Sequence, residues 1–148
     1  NISRLVSDSL ENLKKIEDYD RVGNTAKALE LVTYEKTNIQ EKQNAAVRLS
    51  SNLERMARVT EDIKPSGARE LSVRAVSAGV AMVSRIISYN NSLNMLFEAL
   101  NAKLLNIPYA GPSVRDILAR INADGQTINE LSEKFNSLLD EFDSDYVN

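Results

Sequence analysis

The sequence predicts an all-α fold, an up-down-up-down antiparallel helical bundle of three long helices and a shorter N-terminal one. Three observations predict it. Between Ala68 and Asn106 one apolar stripe persists for about nine helical turns, and at about 100° per residue its members fall within an arc of roughly 80°. They are Leu71, Ala75, Ala78, Met82, Ile86, Tyr89, Leu93, Leu96, Leu100 and Leu104. A second stripe of Val73, Val76, Val80, Val83 and Ile87 lies roughly 120° to 200° round the same helix, and a helix apolar on two faces needs neighbours on both. Five glycines and three prolines in 148 residues leave little punctuation for strands, and the β-branched residues keep helical spacing.

The first helix is expected from about Ile2 to about Val22, because Ile2, Leu5, Val6, Leu10, Leu13 and Ile16 recur mostly at steps of three and four. Gly23 tolerates the left-handed conformation that ends helices, and Asn24 or Thr25 offers a side-chain oxygen to cap the next one. The stretch from Gly23 to Leu31 resembles the start of the second helix of a tetratricopeptide repeat, with small Ala28 at a close helix crossing. The resemblance covers one helix junction, and no period of about 34 residues recurs.

The second helix is expected from about Ala26 to Ile63, with Val32, Ile39, Ala46, Leu49, Leu53, Met56 and Ile63 as its core line. Between Thr33 and Asn44 only Tyr34 and Ile39 are large and apolar, so Glu35, Lys36, Glu41 and Lys42 read as solvated. Lys64-Pro65-Ser66-Gly67 then forces an antiparallel hairpin, with either Pro65 as the first helical residue or Ser66 as the cap. The third helix ends in the loop Asn106 to Pro112, and Ser113 caps the last one with Asp116 three residues on. Val114, Ile117, Leu118, Ile121, Ile128, Leu131, Phe135, Leu138, Leu139 and Phe142 keep one phase across Asp124-Gly125, which favours a single helix to about Asp143.

Counting back from each turn at equal rise sets the facing residues. Tyr89 falls near Gln40, Ala75 near Leu53 or Arg55, Phe135 near Val83 and Phe142 near Val76. On that count the leucine stripe of the third helix faces the second helix, and the last helix covers the valine stripe.

With 43% hydrophobic and 26% charged residues, the chain reads as one globular domain, 1–148, able to bury a real core. A net charge of −3 and a pI near 5.1 give no reason to expect a nucleic-acid partner, which needs a basic surface. The longest uncharged run, Ile86 to Phe97, is broken by Ser and Asn and short for a membrane span, so no transmembrane segment is expected. The chain begins at Asn1 rather than methionine, which a cut within a longer protein and the loss of a leading segment explain equally.

The sequence has no Cys and no His. That removes disulfides, thiolate ligands, the commonest general base, the usual zinc and di-iron ligand sets and the Ser-His-Asp arrangement. Glu61 with Asp62, and Asp143 with Asp145, lack the companions of a calcium loop, and Asp124-Gly125 lacks its spaced acids. The acids are expected on exposed faces, away from any cleft that would perturb their titration. No catalytic, cofactor-binding or metal-binding residue is assigned.

Two groups remain as candidate sites. Tyr34, Gln40, Gln43, Asn44, Tyr89, Asn90 and Asn94 come to one level of the hairpin and offer a polar layer for a small ligand. Arg55, Arg58, Lys64, Arg69 and Arg74 form a basic hairpin end, either a partner surface or the counterpart of the acidic stretch Asp140, Glu141, Asp143 and Asp145 in the last helix. The expected function is a non-enzymatic module that works through contacts with another protein or with itself. The alternative is an extracytoplasmic ligand-sensing domain of a membrane-anchored protein, similar in broad form to the ligand domains of bacterial chemoreceptors.

Overall fold

The computed structural model describes the backbone of residues 2–147 and the side chains of Ser9 and of residues 11–147. The apolar positions Ile2, Leu5, Val6 and Leu10 of the expected first-helix stripe lie outside the described side chains. Four helices make up an all-α bundle: α1 (Ile2–Arg21), α2 (Thr25–Thr60), α3 (Ser66–Leu104) and α4 (Val114–Tyr146). No strand occurs among the described residues.

Local chemistry sets each boundary. Gly23 adopts φ 73° and Asn106 φ 54°, and each ends its helix with paired backbone bonds. Asn24 N–H donates to the Tyr19 carbonyl at 2.8 Å and Ile107 N–H to the Ala102 carbonyl at 2.9 Å, so the last carbonyls of α1 and α3 are satisfied. Asn24 caps α2 by accepting from Lys27 N–H at 3.3 Å. Ser113 caps α4 by accepting from Asp116 N–H at 3.1 Å, and its hydroxyl donates back to the Asp116 carboxylate at 2.7 Å. At the Pro65 turn neither alternative holds: Ser66 is the first residue of α3, and Pro65 lies just before it with its carbonyl accepting from Arg69 N–H at 3.0 Å. Helix α4 runs through Asp124-Gly125 without a break.

The chain divides into two compact units, one of Asn1–Gln43 with Tyr89–Ala123 and one of Asn44–Ser88 with Asp124–Asn148. Helices α2 and α3 pass from one unit to the other within a single helix, as does α4. In the first unit Ser9 and Asn12 of α1 both bond Glu35 of α2, and Ser9 also takes a bond from Lys42, so α1 and α2 lie side by side. Lys103 of α3 reaches Asp20 of α1 at 2.6 Å. Buried Ile16, Val32, Ile39, Leu93, Leu96, Phe97, Ile117 and Ile121 supply this unit's apolar interior. Ala28 is buried too, as a close helix crossing requires.

The second unit is built from three helical segments. Thr60 bonds Ser72 at 2.7 Å while Leu53, further back along α2, packs with Val83, further forward along α3, so the two run antiparallel. Helix α4 runs antiparallel to α3, with Phe142 packed on the cluster containing Leu71 and with Asp124 bonded to Arg85 and Ser88. One cluster holds Leu71, Ala75, Ala78 and Leu138 with Phe135, Leu139 and Phe142 against it. The other holds Ala46, Leu53 and Val83 with Leu49, Met56, Ile86 and Phe135.

This packing corrects part of the expected face assignment. Helix α4 docks on the leucine side of α3 through Leu71, Ala75 and Ala78, and Phe135 also reaches the cluster that buries Val83 as expected, whereas the outer positions stay open: Val73 is 51% exposed, Val80 54% and Ile87 39%. The physical reason is the row Ala75, Ala78 and Gly79, which lets α2 and α4 approach the same broad side of α3. Helix α3 is also the one helix among the described residues that is long and apolar enough to cross a membrane by length and composition, with 33% of its most apolar stretch buried.

Two stability predictions follow from this packing. Ala78→Leu should cost about 1 to 3 kcal/mol by overpacking the Leu71–Leu138 cluster, read as a lowered denaturation midpoint. Asp124→Ala should cost about 1 to 3 kcal/mol, because it removes the acceptor of a 2.6 Å bond from Ser88 and of a 3.2 Å bond from Arg85. An unchanged midpoint would mean that the pair does not tie α4 to α3 in solution.

Candidate functional site

The second unit holds an apolar cavity of about 480 Å³. Helix α3 supplies its floor through Leu71, Ser72 and Ala75. Asn52, Arg55, Met56, Val59, Thr60 and Ile63 of α2 form one wall, and Leu138, Leu139 and Phe142 of α4 form the other. Small Ala75 and Ser72 keep the floor low between two walls of larger side chains. The Thr60 and Ser72 hydroxyls are already satisfied: that of Thr60 donates to the Met56 carbonyl at 2.9 Å and lies 2.7 Å from the Ser72 hydroxyl.

Arg55 is the one charged residue among the described residues that lines this cavity. It is exposed and forms no ion pair or side-chain hydrogen bond among the described residues. The other members of the expected basic surface are exposed as well, but two of them are engaged. Arg58 pairs with Glu54 at 2.6 Å, and Arg69 donates twice to the Ile63 carbonyl, at 3.0 and 2.8 Å, closing the end of α2. Lys64 and Arg74, like Arg55, have no such partner among the described residues. The acids Asp140, Glu141, Asp143 and Asp145 form no ion pair with the basic end among the described residues. The carboxylates sit on exposed positions of α4, while its apolar side chains make the contact.

The expected polar layer does not assemble. Tyr34 is 56% exposed, and Gln40 and Asn44 face solvent. Gln43 bonds Asn91 at 3.2 Å, and Asn94 bonds Glu98 one turn on at 2.9 Å. Only Tyr89 and Asn90 are buried, and the Tyr89 hydroxyl and the Asn90 Nδ2 have no hydrogen-bond partner among the described residues. Equal height along a hairpin does not put residues on one face.

A buried carboxylate lies in the first unit instead. Glu35, expected in solvent, is 1% exposed; the Ser9 hydroxyl donates to its Oε2 at 2.9 Å and the Asn12 amide to its Oε1 at 2.6 Å. Lys42 donates to Ser9 at 3.0 Å, which brings a positive charge one bond away. Asp124, 5% exposed, is the second buried acid. Both correct the expectation that the acids all lie on exposed faces. The available signal was positional: Glu35 stands between Val32 and Ile39 on the core line of α2, and Asp124 between Ile121 and Ile128 on that of α4.

A second cavity of about 440 Å³ occurs in the first unit, where Leu13, Ile16, Leu96, Leu100 and Leu118 line it beside the Lys103–Asp20 pair. No group of three acidic residues close enough to hold a metal ion occurs among the described residues.

Burial, and then the nearby Glu35 charge, push the Tyr89 hydroxyl up to about 12 from its ordinary 10.0. The neutral phenol is therefore favoured in the folded chain. Stability from this source is complete below pH 10 and is lost as pH rises towards about 12, because the unfolded chain releases the proton first. Wild type should lose stability more steeply over that range than Tyr89→Phe, in denaturation measured at both limits. Parallel pH profiles would refute the assignment.

Comparison with known proteins finds no match for this chain, whether among family models, curated proteins or solved structures.

Proposed function

We propose that this chain is a non-enzymatic helical-bundle module that works through protein–protein contacts. The observation that carries the reading is the open line of Val73, Val80 and Ile87 on α3. These residues are spaced by seven, the step that keeps side chains on one seam when helices pack as a coiled coil. Three exposed β-branched side chains recur on a single line of the helix. Ser77 and Ser84 lie between them, exposed and small, so a second helix has room to approach. The partner is another protein or a second copy.

The alternative, an extracytoplasmic ligand-sensing domain of a membrane-anchored protein, draws support from one observation, the apolar cavity of the second unit.

The contact reading is tested with a photo-crosslinking residue at position 80 and a control at exposed Lys36 in the source cell. Position 80 should yield one discrete product, either with another protein or with a second copy, and Val73→Glu should abolish it. Because Val73 is exposed, that substitution should change stability by no more than about 0.5 kcal/mol. Equal, diffuse products from positions 80 and 36 would overturn the reading.

A further inference from the structure

We propose that the apolar cavity of the second unit binds the anion of an unbranched fatty acid, with its carboxylate on Arg55 and its alkyl chain along the floor towards Phe142. This inference rests on a different surface from the valine line and stands or falls apart from it.

Three features select that chemistry. A volume of about 480 Å³ is the size of a small-molecule site. Apart from Asn52, which is exposed, the polar residues of α2 and α3 on the lining other than Arg55 ask for nothing, since Thr60 and Ser72 satisfy each other. A ligand with hydrogen-bonding groups along its length would lose water there without replacement. Among the described residues Arg55 is the only charge on the lining and has no ion pair or side-chain hydrogen bond, and its planar fork suits a carboxylate.

The place of Arg55 on the lining fixes the direction. Thr60 is level with Ser72, and Phe142 packs on the cluster containing the neighbouring Leu71. Arg55 lies five residues before Thr60, about 7.5 Å back along α2. Arg55 and Phe142 stand at opposite ends of the lining, so the anionic head belongs at the Arg55 end and the uncharged tail at the other.

The test is calorimetric titration of the whole chain with octanoate, decanoate, laurate and myristate below their micelle concentrations, with the matched alcohols alongside. One molecule should bind per chain. Affinity should rise about fourfold per added methylene until the cavity is full and then level off. Arg55→Gln should weaken the acids about tenfold and leave the alcohols unchanged. Val59→Trp should block both classes, and because Val59 is 63% exposed this variant keeps the fold. Thermal melts of both variants check that.

Absence of saturable binding would overturn the proposal. So would acids and alcohols of equal affinity with no response to Arg55→Gln, since the cavity would then accept any apolar solute. Binding insensitive to Val59→Trp would place the ligand elsewhere, with the first unit's cavity the next to examine. Concentration-dependent dimerisation that Val59→Trp abolishes, without fatty-acid binding, would assign the cavity to a second copy.

Discussion

The backbone of α3 at Gly79 is met by α2 and by α4. A Cβ at that position would lie 2.6 Å from Cδ2 of Leu53 and 3.3 Å from Cε2 of Phe135, so no larger residue fits without displacing one neighbour. Glycine inside a helix costs about 1 kcal/mol relative to alanine. What offsets that cost is the packing of Leu53 and Phe135, large side chains that reach α3 because nothing there holds them off. Phe135 belongs to both apolar clusters of the second unit, joining the one built on Leu71, Ala75, Ala78 and Leu138 to the one built on Ala46, Leu53 and Val83. The three segments of that unit are thus tied at one contact.

The same contact explains what stays uncovered. With α2 and α4 both drawn to the side of α3 that carries Ala75, Ala78 and Gly79, no segment of this unit is left to cover Val73 and Val80. Apolar burial is non-directional and would accept either stripe. Close approach distinguishes them, because dispersion falls off steeply with small gaps and the row Ala75, Ala78 and Gly79 is where side chains of both α2 and α4 reach α3. The polar pairs then set register, where apolar contact alone tolerates sliding. Asp124 holds Arg85 and Ser88 at one level of α3, and Glu35 fixes Ser9 and Asn12 of α1 against α2.

Much of the fold was legible in the sequence for local reasons. Helix periodicity, the stop at Gly23, the cap at Ser113 and the unbroken phase across Asp124-Gly125 depend on neighbours within a turn or two, and the helices end within a few residues of where those signals fall. Sites depend on residues far apart in the chain. Ser9 and Glu35 are separated by 26 positions and Ser88 and Asp124 by 36, so neither buried carboxylate announces its partner. Glu35 looked solvated because its near neighbours Lys36, Glu41 and Lys42 set the apparent character of the stretch. The residues of the basic end sit on exposed positions, and Arg58 and Arg69 find local partners that a charge count does not reveal. The polar layer failed because height along a hairpin is fixed by rise, whereas facing is fixed by rotation about each helix, and the count used only the first.

The cavity has its origin in the same geometry. Helix α2 is held to α3 through Leu53 and again where Thr60 meets Ser72, while α4 is held through Phe135 and Leu138. For the walls to close over Ala75, α2 and α4 would have to turn towards each other and give up those contacts. Filling the floor with a larger residue in place of Ala75 would meet Leu138 in the same cluster. The space lined by Met56, Ile63, Leu139 and Phe142 therefore persists because the interactions that stabilise the unit also keep its walls apart. Concavity and the flat valine line suit different occupants. A seam of side chains repeated every seven residues matches a helix laid along it, whereas a short apolar trough with one cation at its edge matches a tail with one anionic end.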